Sequence, residues 1–175
     1  MVRRRDEGNY FEDFAIGDVY AHPLGRTVTE TDNAWFTMLT LNTNELHFNA
    51  DMASRTEFGR PLVNSGFTVA LILGMSVSDI SQNALANLGW DDIRLTAPVF
   101  VGDTLYAESV ITALRESASR PHAGIVSCFT RGLNQDGREV LSYRRSVLVA
   151  KRRHGAALRR FPEASTPIES RAEAP

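Results

Sequence analysis

The residues best suited to chemistry lie in a polar loop and at the start of the apolar segment that follows it. The loop contains Asn42, Asn44 and His47, and the apolar segment opens around Gly66. A histidine can exchange protons near neutral pH. The free backbone N–H groups at a helix N-terminus can stabilise a developing oxyanion, and a glycine there lets a substrate carbonyl approach. The pattern therefore indicates acid–base chemistry beside an oxyanion.

Spacing alone also fits a purely structural role. A histidine in a polar loop is more often a surface or structural residue than a catalytic one, and loop asparagines often serve as turn or cap residues. The four histidines of the chain show no metal-ligand spacing, and its single cysteine, Cys128, excludes a disulfide framework and a Cys-based zinc site. We expect no metal and no bound cofactor.

Length and composition indicate one globular domain. The chain has 175 residues and a net charge of −2, which gives no electrostatic footprint for nucleic acid. Its longest apolar run, 67–75, is far below the ~20 residues that span a bilayer. No signal peptide is visible, so we expect a cytoplasmic protein. We predict a flexible N-terminus over 1–8, a folded domain over 9–154 and a disordered tail over 155–175.

Several elements must position the loop. Residues 18–28 are typical of a strand, irregular at Pro23. The sequence from Thr29 to Asp32 has the form of a capping box and predicts an amphipathic helix over 30–40. The apolar residues at helical spacing in that helix are Ala34, Trp35, Met38 and Leu39. The loop over 41–63 is polar and irregular.

A long apolar helix and a set of strands follow the loop. Residues 66–80 are apolar on every side, which predicts a buried helix. Alternating patterns predict further strands, and Asn134–Gly137 has the form of a hairpin turn between the last two. The predicted strands are 86–96, 104–114, 123–133 and 138–150. One buried helix against a curled antiparallel sheet is an α+β architecture.

Several segments resemble one enzyme family. Asn42–His47 is similar to the motif Asp-x-Asn-Pro-(Leu/Ile)-His, and Pro61–Gly66 is similar to a Pro-(Ile/Leu)-Val-x-x-Gly segment that opens a central helix. The segments 11–18 and 97–105 match further pieces in the same order. The chain thus resembles the MaoC-like, (R)-specific enoyl-CoA hydratase family over about residues 10–150. The resemblance implies a single hot-dog fold, in which a curled antiparallel sheet wraps around a central buried helix.

The resemblance also implies roles for individual residues. His47 falls on the catalytic histidine, Asn44 on the motif asparagine, and Gly66 on the residue whose amide forms the oxyanion hole. Asn42 stands where the family has its catalytic aspartate, and Glu45 stands where it has proline. An amide cannot accept a proton at neutral pH. Either His47 works with water held by Asn42, or Glu45 replaces the aspartate, or activity is lost.

The substrate that the resemblance implies is an acyl-CoA, with CoA as part of the substrate. Within the family, the segments 42–47 and 117–126 resemble the branch that acts on branched or dicarboxylic acyl-CoAs such as mesaconyl-CoA. A substrate carboxylate would favour an arginine near the acyl group. The expected substrate contacts are Asn44, Asn64, Ser65, Arg60, Arg94 and Arg120, the last of these with CoA phosphates.

Three interpretations of function remain open at this stage. The first is reversible addition of water across the 2,3 double bond of an enoyl-CoA by a hydro-lyase. The second is a hot-dog acyl-CoA thioesterase, and the third is an acyl-CoA-binding protein without catalysis. Family members pair their subunits to cover a sheet edge and complete the site. The expected assembly is therefore a homodimer or a larger homo-oligomer.

Overall fold

The framework of the protein is an antiparallel sheet, seen in a computed structural model that describes residues 8–158 and 165–166. The strand order is β1-β4-β5-β6-β3, and β2 pairs with β4 beside β1. Every strand pair is antiparallel. The strands are β1 (Val19–Ala21), β2 (Arg26–Thr27), β3 (Ala84–Leu95), β4 (Thr104–Glu116), β5 (Ala123–Leu133) and β6 (Glu139–Ala150).

The first edge of the sheet is interrupted, so the prediction of one strand over 18–28 was wrong. β1 ends opposite Glu108 and β2 begins opposite Leu105, with the chain looping out between them. Pro23 lies in this loop and has no N–H to donate to a strand partner. The predicted irregularity at Pro23 is therefore a complete break in the strand.

The helix predicted after this edge is confirmed as α1 (Glu30–Leu39), together with its capping box. The Thr29 hydroxyl accepts from the Asp32 amide at 3.2 Å, and the Asp32 carboxylate accepts from the Thr29 amide at 2.8 Å. Arg26 also donates to Asp32 at 2.7 Å. Partial burial opposes ionisation of Asp32, but the hydrogen bonds from Arg26 and Thr29 outweigh it and lower its pKa to about 2.

The side of α1 that faces the protein is polar. Its buried residues are the polar Asn33 and Thr37. The apolar residues Trp35 and Leu39 are 69% and 77% exposed, and Met38 is also exposed. The helix is amphipathic, as predicted, with its polar side turned inward. Asn33 and Thr37 lie inside because they hydrogen-bond to backbone and side chains of the following segments.

The segment between α1 and the central helix contains local structure that its polar composition did not predict. A short 3-10 turn spans Glu45–His47, and the helix α2 spans Ala50–Ser54. The Asn49 side chain caps α2 by accepting from the Met52 amide at 3.0 Å. The expectation of an irregular segment over 41–63 was therefore wrong at these two places.

The central helix α3 (Ser65–Met75) packs against one face of the sheet. It ends before the expected residue 80, and a π-helical stretch, Val77–Ser81, continues it. Burial is deepest along one side, at Thr68, Ile72 and Met75, while Ala70 and Gly74 are exposed. The buried neighbours of α3 in the core are Val28, Val63, Val99, Leu105, Ala107, Val140, Leu141 and Tyr143.

One close approach fixes how near α3 lies to the sheet. Ile72 is fully buried and sits directly above Gly132 of β5. A Cβ atom at residue 132 would lie 2.6 Å from the Ile72 Cδ1 atom, closer than non-bonded carbons approach. The missing side chain at Gly132 therefore provides the room that Ile72 occupies.

The four long strands and the hairpin were predicted correctly. At the hairpin the Asn134 amide donates to the Arg138 carbonyl at 2.9 Å, and Gly137 has a φ of 73°. Alternate residues of β4 are buried from Leu105 to Ile111. A register shift between Ile111 and Ala113 ends this alternation and leaves Ala113 exposed.

The predicted ends of the chain lie mostly outside the described residues. A 3-10 helix spans Arg152–Leu158, and Arg152 pairs with Asp13. The flexible N-terminus proposed over 1–8 and the remaining tail beyond 158 stay predictions, since 1–7, 159–164 and 167–175 are not described. Across the described part of the chain, no helix has the length and apolar character needed to cross a membrane.

Candidate active site

His47 is held at the end of a capped 3-10 turn and is only 9% exposed. The Asn44 side chain starts this turn by accepting from the Leu46 amide at 3.1 Å. The His47 Nδ1 atom lies 2.9 Å from the Leu62 carbonyl oxygen. The backbone therefore fixes both the position of the imidazole and the partner of one ring nitrogen.

The Leu62 contact decides the protonation pattern of the ring. A carbonyl oxygen can only accept a hydrogen bond, so Nδ1 of His47 must carry a proton and donate it to Leu62. In the neutral imidazole this leaves the lone pair on Nε2. The arrangement is that of a general base whose reactive nitrogen is Nε2.

His47 lines a cleft of about 240 Å³ between α1, α2 and the segment 59–61. The cleft is partly apolar and contains three ionisable residues, Glu30, His47 and Arg60. Its full lining is Glu30, Asn33, Ala34, His47, Phe48, Ala50, Arg60, Pro61 and Val101. One base, one carboxylate and one cation thus face a space sized for a small acyl group.

Asn33 joins the parts of the site to one another. Its amide nitrogen donates to the carbonyls of His47, at 2.7 Å, and Leu62, at 3.1 Å. Its oxygen accepts from the Asn64 amide at 2.8 Å. Asn33 is 2% exposed, so these hydrogen bonds are shielded from water and are stronger than they would be at the surface. One α1 side chain therefore ties the histidine turn to the segment that enters α3.

The start of α3 is closed by its own cap. The Asn64 side-chain oxygen accepts from the Gly66 backbone N–H at 2.9 Å, and the Asn64 side-chain nitrogen donates to the Thr37 hydroxyl at 3.1 Å. The Gly66 N–H thus has an acceptor within the protein, and its role towards an oxyanion stays a prediction. Gly66 could donate to a substrate oxyanion only by sharing that hydrogen or by displacing the Asn64 side chain.

Neither residue proposed to stand in for the family aspartate lines the cleft. The Asn42 oxygen accepts from the Asn44 amide at 3.0 Å, which makes Asn42 part of a turn. The Glu45 carboxylate is exposed and accepts from Asn49 at 2.5 Å. Both side chains are used to shape the loop that carries His47.

The three arginines proposed as substrate contacts lie in different places. Arg60 lines the cleft, with its guanidinium 3.9 Å from the centre of the Phe100 ring. Arg94 lies on the edge strand β3, paired with Asp92 at 2.7 Å. Arg120 lies in the turn after β4. The cleft is lined by Val101, just before β4 begins, and β4 itself is 13 residues, or roughly 40 Å, long. The structure therefore brings only Arg60 of these three to His47.

A second cleft of about 290 Å³ is lined by Leu62 and Val63, which directly follow Arg60 and Pro61 of the first cleft in the chain. Its walls are apolar, and it contains Ser65, the first residue of α3. The remaining lining residues are Phe58, Thr68, Leu95, Thr96, Ala97, Pro98, Val99 and Val140. Ser65, a proposed substrate contact, thus lies beside an apolar space rather than in the histidine cleft.

Sequence reasoning missed Asn33, Thr37 and Glu30. Their positions in α1 carried a usable signal, because residues three and four apart share one face of a helix. Glu30, Asn33 and Thr37 therefore form a polar stripe opposite Trp35 and Met38. That stripe would have indicated the side of α1 that meets the polar loop.

A second buried histidine belongs to an enclosed network outside the cleft. His22 is 6% exposed, with Nδ1 2.7 Å from the Asp79 carboxylate and Nε2 2.9 Å from the Ser109 hydroxyl. Ser109 in turn lies 2.7 Å from the Thr130 hydroxyl. No cleft described above is lined by His22 or Ser109. The resemblance of this trio to a catalytic triad is therefore geometric only.

The same layer of the core holds a buried cation. Arg145 is 6% exposed and donates to the Asn87 side chain at 2.7 Å and to Ser76 at 3.5 Å. Burial lowers the pKa of the Arg145 guanidinium, and burial raises the pKa of the neighbouring Tyr143 hydroxyl. Within residues 8–158 and 165–166, no cluster of three or more potential ligand side chains could hold a metal ion.

Comparison with known proteins identifies what this site is similar to. The model of a family described as mesaconyl-CoA hydratase matches residues 1–165. A mesaconyl-CoA hydratase of Cereibacter sphaeroides is 40% identical over 149 residues, which are 85% of this chain and 43% of that protein. The chain therefore spans less than half the length of this curated relative.

Solved structures show the same fold. A putative MaoC domain dehydratase from Chloroflexus aurantiacus superposes with a TM-score of 0.82 at 33% identity, over 97% of this chain and 46% of that one. A Mycobacterium tuberculosis protein described as having a double hot-dog fold superposes with a TM-score of 0.77 at 25% identity, over 85% and 46% of the two chains. The sheet and central helix described above are thus a hot-dog fold, as predicted.

Proposed function

The chain belongs to the mesaconyl-CoA hydratase family, and on that premise we propose that it adds water reversibly across the 2,3 double bond of an enoyl-CoA. The proposed substrates are branched or dicarboxylic acyl-CoAs such as mesaconyl-CoA. The observation that carries the proposal is the buried His47, whose Nδ1 atom is committed to Leu62 and whose Nε2 atom is left for the cleft.

In the proposed reaction the Nε2 atom of His47 takes a proton from water. As that proton leaves, the water oxygen bonds to the β-carbon, and the electrons of the double bond move towards the thioester oxygen. The resulting enolate then takes a proton at its α-carbon, which gives the 3-hydroxyacyl-CoA. Dehydration follows the same path in reverse. Stabilising the enolate rather than the substrate is what lowers the barrier.

The oxyanion donor in this proposal remains the Gly66 amide, with Asn64 as its partner in the resting protein. In the resting protein the Asn64 side-chain oxygen accepts from the Gly66 N–H at 2.9 Å, which fixes the direction of that N–H bond. A more negative enolate oxygen would compete for the same hydrogen. We place Asn44 in the loop that supports His47 and Ser65 at the second, apolar cleft, where part of the acyl-CoA would pass.

Arg60 supports the assignment of a dicarboxylic substrate. It lines the cleft with His47, and stacking on Phe100 leaves the donor edges of its guanidinium available. In the described part of the chain no carboxylate forms an ion pair with it. A free carboxylate on the acyl group would provide that partner, so Arg60 is the proposed determinant of carboxylate recognition.

Assembly is the second part of the proposal. Among the described residues, the edge strand β3 pairs only with β6, and it exposes Leu88, Trp90, Ile93 and Leu95. Unpaired strand edges with apolar side chains are natural pairing surfaces. We propose a cytoplasmic homodimer in which this edge meets a second copy. Light scattering should give about twice the 19.4 kDa of one chain, and a monodisperse monomer would contradict the proposal.

The activity is tested by following the conjugated enoyl-thioester absorbance and free thiol in parallel, with crotonyl-CoA and mesaconyl-CoA. A hydratase removes the absorbance without releasing thiol. Thiol release would instead identify a thioesterase. Binding of both esters without either change would identify an acyl-CoA-binding protein.

The same assay tests the dicarboxylic preference. Arg60→Met should raise KM for mesaconyl-CoA by about 10- to 100-fold, the usual value of a charge-assisted hydrogen bond, and leave crotonyl-CoA unchanged. Arg55→Met is the matched control, because Arg55 is an exposed arginine of the same loop region paired with Asp51. Equal effects on both substrates would contradict a role in carboxylate recognition.

A further inference from the structure

The site as described lacks a donor for the α-carbon proton. His47 accounts for the proton taken from water, but neither Asn42 nor Glu45 lines the cleft. Asn42 has no acidic proton to give, and Glu45 is engaged by Asn49. The second proton-transfer group must therefore come from another element.

We propose that Glu30, the first residue of α1, supplies this second group. This inference rests on the hydration reaction proposed above. Glu30 lines the cleft together with His47 and Arg60, and no other residue in the cleft lining carries a carboxyl group. A volume of 240 Å³ corresponds to a space roughly 8 Å across, which places opposite walls within reach of one acyl group and one water.

The position of Glu30 relative to His47 is fixed by the same helix that supports the histidine. Glu30 and Asn33 are three residues apart on α1 and share one face of it. Asn33 binds the carbonyls of His47 and Leu62, so the backbone of α1 is tied directly to the histidine turn. The carboxyl group and the imidazole are therefore mounted on one connected framework.

The two acidic residues in the first turn of α1 have separate roles. Asp32 is engaged by Thr29 and Arg26. Glu30 has no hydrogen bond or ion pair within residues 8–158 and 165–166. The cap therefore depends on Asp32, and the Glu30 carboxyl group is available to a ligand in the cleft.

One proton shared between His47 and Glu30 then balances the reaction. In hydration, His47 takes a proton from water and passes it to the Glu30 carboxylate, which delivers it to the α-carbon of the enolate. This delivery restores the neutral His47 and the Glu30 carboxylate. In dehydration, the Glu30 carboxylate removes the α-proton, and protonated His47 donates to the leaving hydroxyl.

The test is Glu30→Gln in the full chain, assayed for hydration of mesaconyl-CoA and crotonyl-CoA. General acid–base catalysis typically contributes 10²- to 10⁴-fold, so kcat should fall by about 10²-fold or more on both substrates. The deuterium isotope effect for an α-deuterated 3-hydroxyacyl-CoA should rise in the dehydration direction, because α-proton removal becomes rate-limiting. Glu57→Gln is the matched control, because Glu57 is exposed and lines neither cleft, and it should leave both quantities unchanged.

The outcomes separate this inference from the hydratase assignment. An active wild type with an unchanged Glu30→Gln variant overturns the role of Glu30 and leaves the hydratase intact. An equal loss in Glu57→Gln would show that the effect is not specific to the cleft carboxyl group and also overturns it. An inactive wild type overturns both proposals. Matched melting temperatures of the two variants exclude misfolding as the cause of a loss.

Discussion

His47 and His22 are both buried histidines, and they differ in how many of their ring nitrogens have a hydrogen-bond partner. In each, Nδ1 is held by an oxygen, the Leu62 carbonyl at 2.9 Å for His47 and the Asp79 carboxylate at 2.7 Å for His22. The second nitrogen of His22 is also taken, by Ser109 at 2.9 Å. The second nitrogen of His47 has no hydrogen-bond partner among residues 8–158 and 165–166, and His47 lines a cleft.

The difference shows that burial and an oriented ring are not enough for catalysis. His22 has the partners of a serine hydrolase triad, yet its serine is 1% exposed and bonded to Thr130. His47 has a simpler set of contacts, but one nitrogen remains free at a space that a substrate can enter. We therefore expect substitutions at His47 to change chemistry and substitutions at His22 to change stability.

The largest effect should come from His47→Gln. Glutamine keeps polar atoms in the turn but cannot take a proton from water, so kcat for hydration should fall by about 10³-fold. The enoyl-thioester absorbance assay measures this loss. Urea unfolding should show a change below about 1 kcal/mol, and a variant that keeps more than a tenth of wild-type activity would contradict the role of His47.

Asn33→Ala should show both kinds of effect, because Asn33 supports the site from inside the core. Its loss leaves the His47 carbonyl and the Asn64 backbone N–H without their buried partner and removes one of the two donors to the Leu62 carbonyl, which should cost about 2–3 kcal/mol of unfolding free energy. The imidazole should shift as well, lowering kcat/KM by roughly 10- to 100-fold. Urea unfolding and the hydration assay measure the two losses, and an activity loss without destabilisation would contradict the structural account.

His22→Leu should lower stability and leave the chemistry of the folded protein unchanged. The substitution leaves Asp79 and Ser109 without their shared partner, at a cost of about 2 kcal/mol. Urea unfolding measures the loss, and kcat is compared at a temperature where the variant is folded. A fall in kcat of more than tenfold in folded protein would break the distinction between the two histidines.

The smallest effect concerns the α1 cap. The folded protein keeps Asp32 ionised down to a pKa of about 2, whereas the unfolded chain protonates it near 3.8. Its contribution is therefore complete above about pH 4 and fades as pH falls towards 2. Asp32→Asn should cost about 1 kcal/mol at neutral pH and flatten this part of the stability profile.

The control for the cap is Asp51→Asn, which removes an exposed i,i+4 pair with Arg55. Such pairs contribute only a few tenths of a kcal/mol, so urea unfolding at pH 7 should barely change. Equal losses in the two variants would show that Asp32 acts as an ordinary surface charge rather than as a helix cap.

The sequence predicted the local features well, because their causes are local. The α1 capping box, the hairpin at Asn134–Gly137 and the alternation of β4 each depend on residues within a few positions of one another. The resemblance placed His47, and the structure puts that residue in a cleft with Arg60.

The features that the sequence did not predict depend on distant partners. Asn33 meets Leu62 across 29 positions, and His22 meets Asp79 across 57 and Ser109 across 87. The inward face of α1 is a further feature that long-range contacts decide. Hydrophobic periodicity identifies two faces of a helix, but hydrogen-bonding partners elsewhere decided that the polar face turns inward.

Gly132 has an influence beyond its own strand. Its missing side chain lets Ile72 seat against the sheet, and Ile72 lies seven residues, or about 10 Å of helix, from Ser65. A methyl group at residue 132 would lift the whole of α3, because a helix moves as a rigid rod. The cap at Asn64 and Gly66 would move with it. A substitution at Gly132, a buried core position below α3, would therefore displace the candidate site as a substitution within the site would.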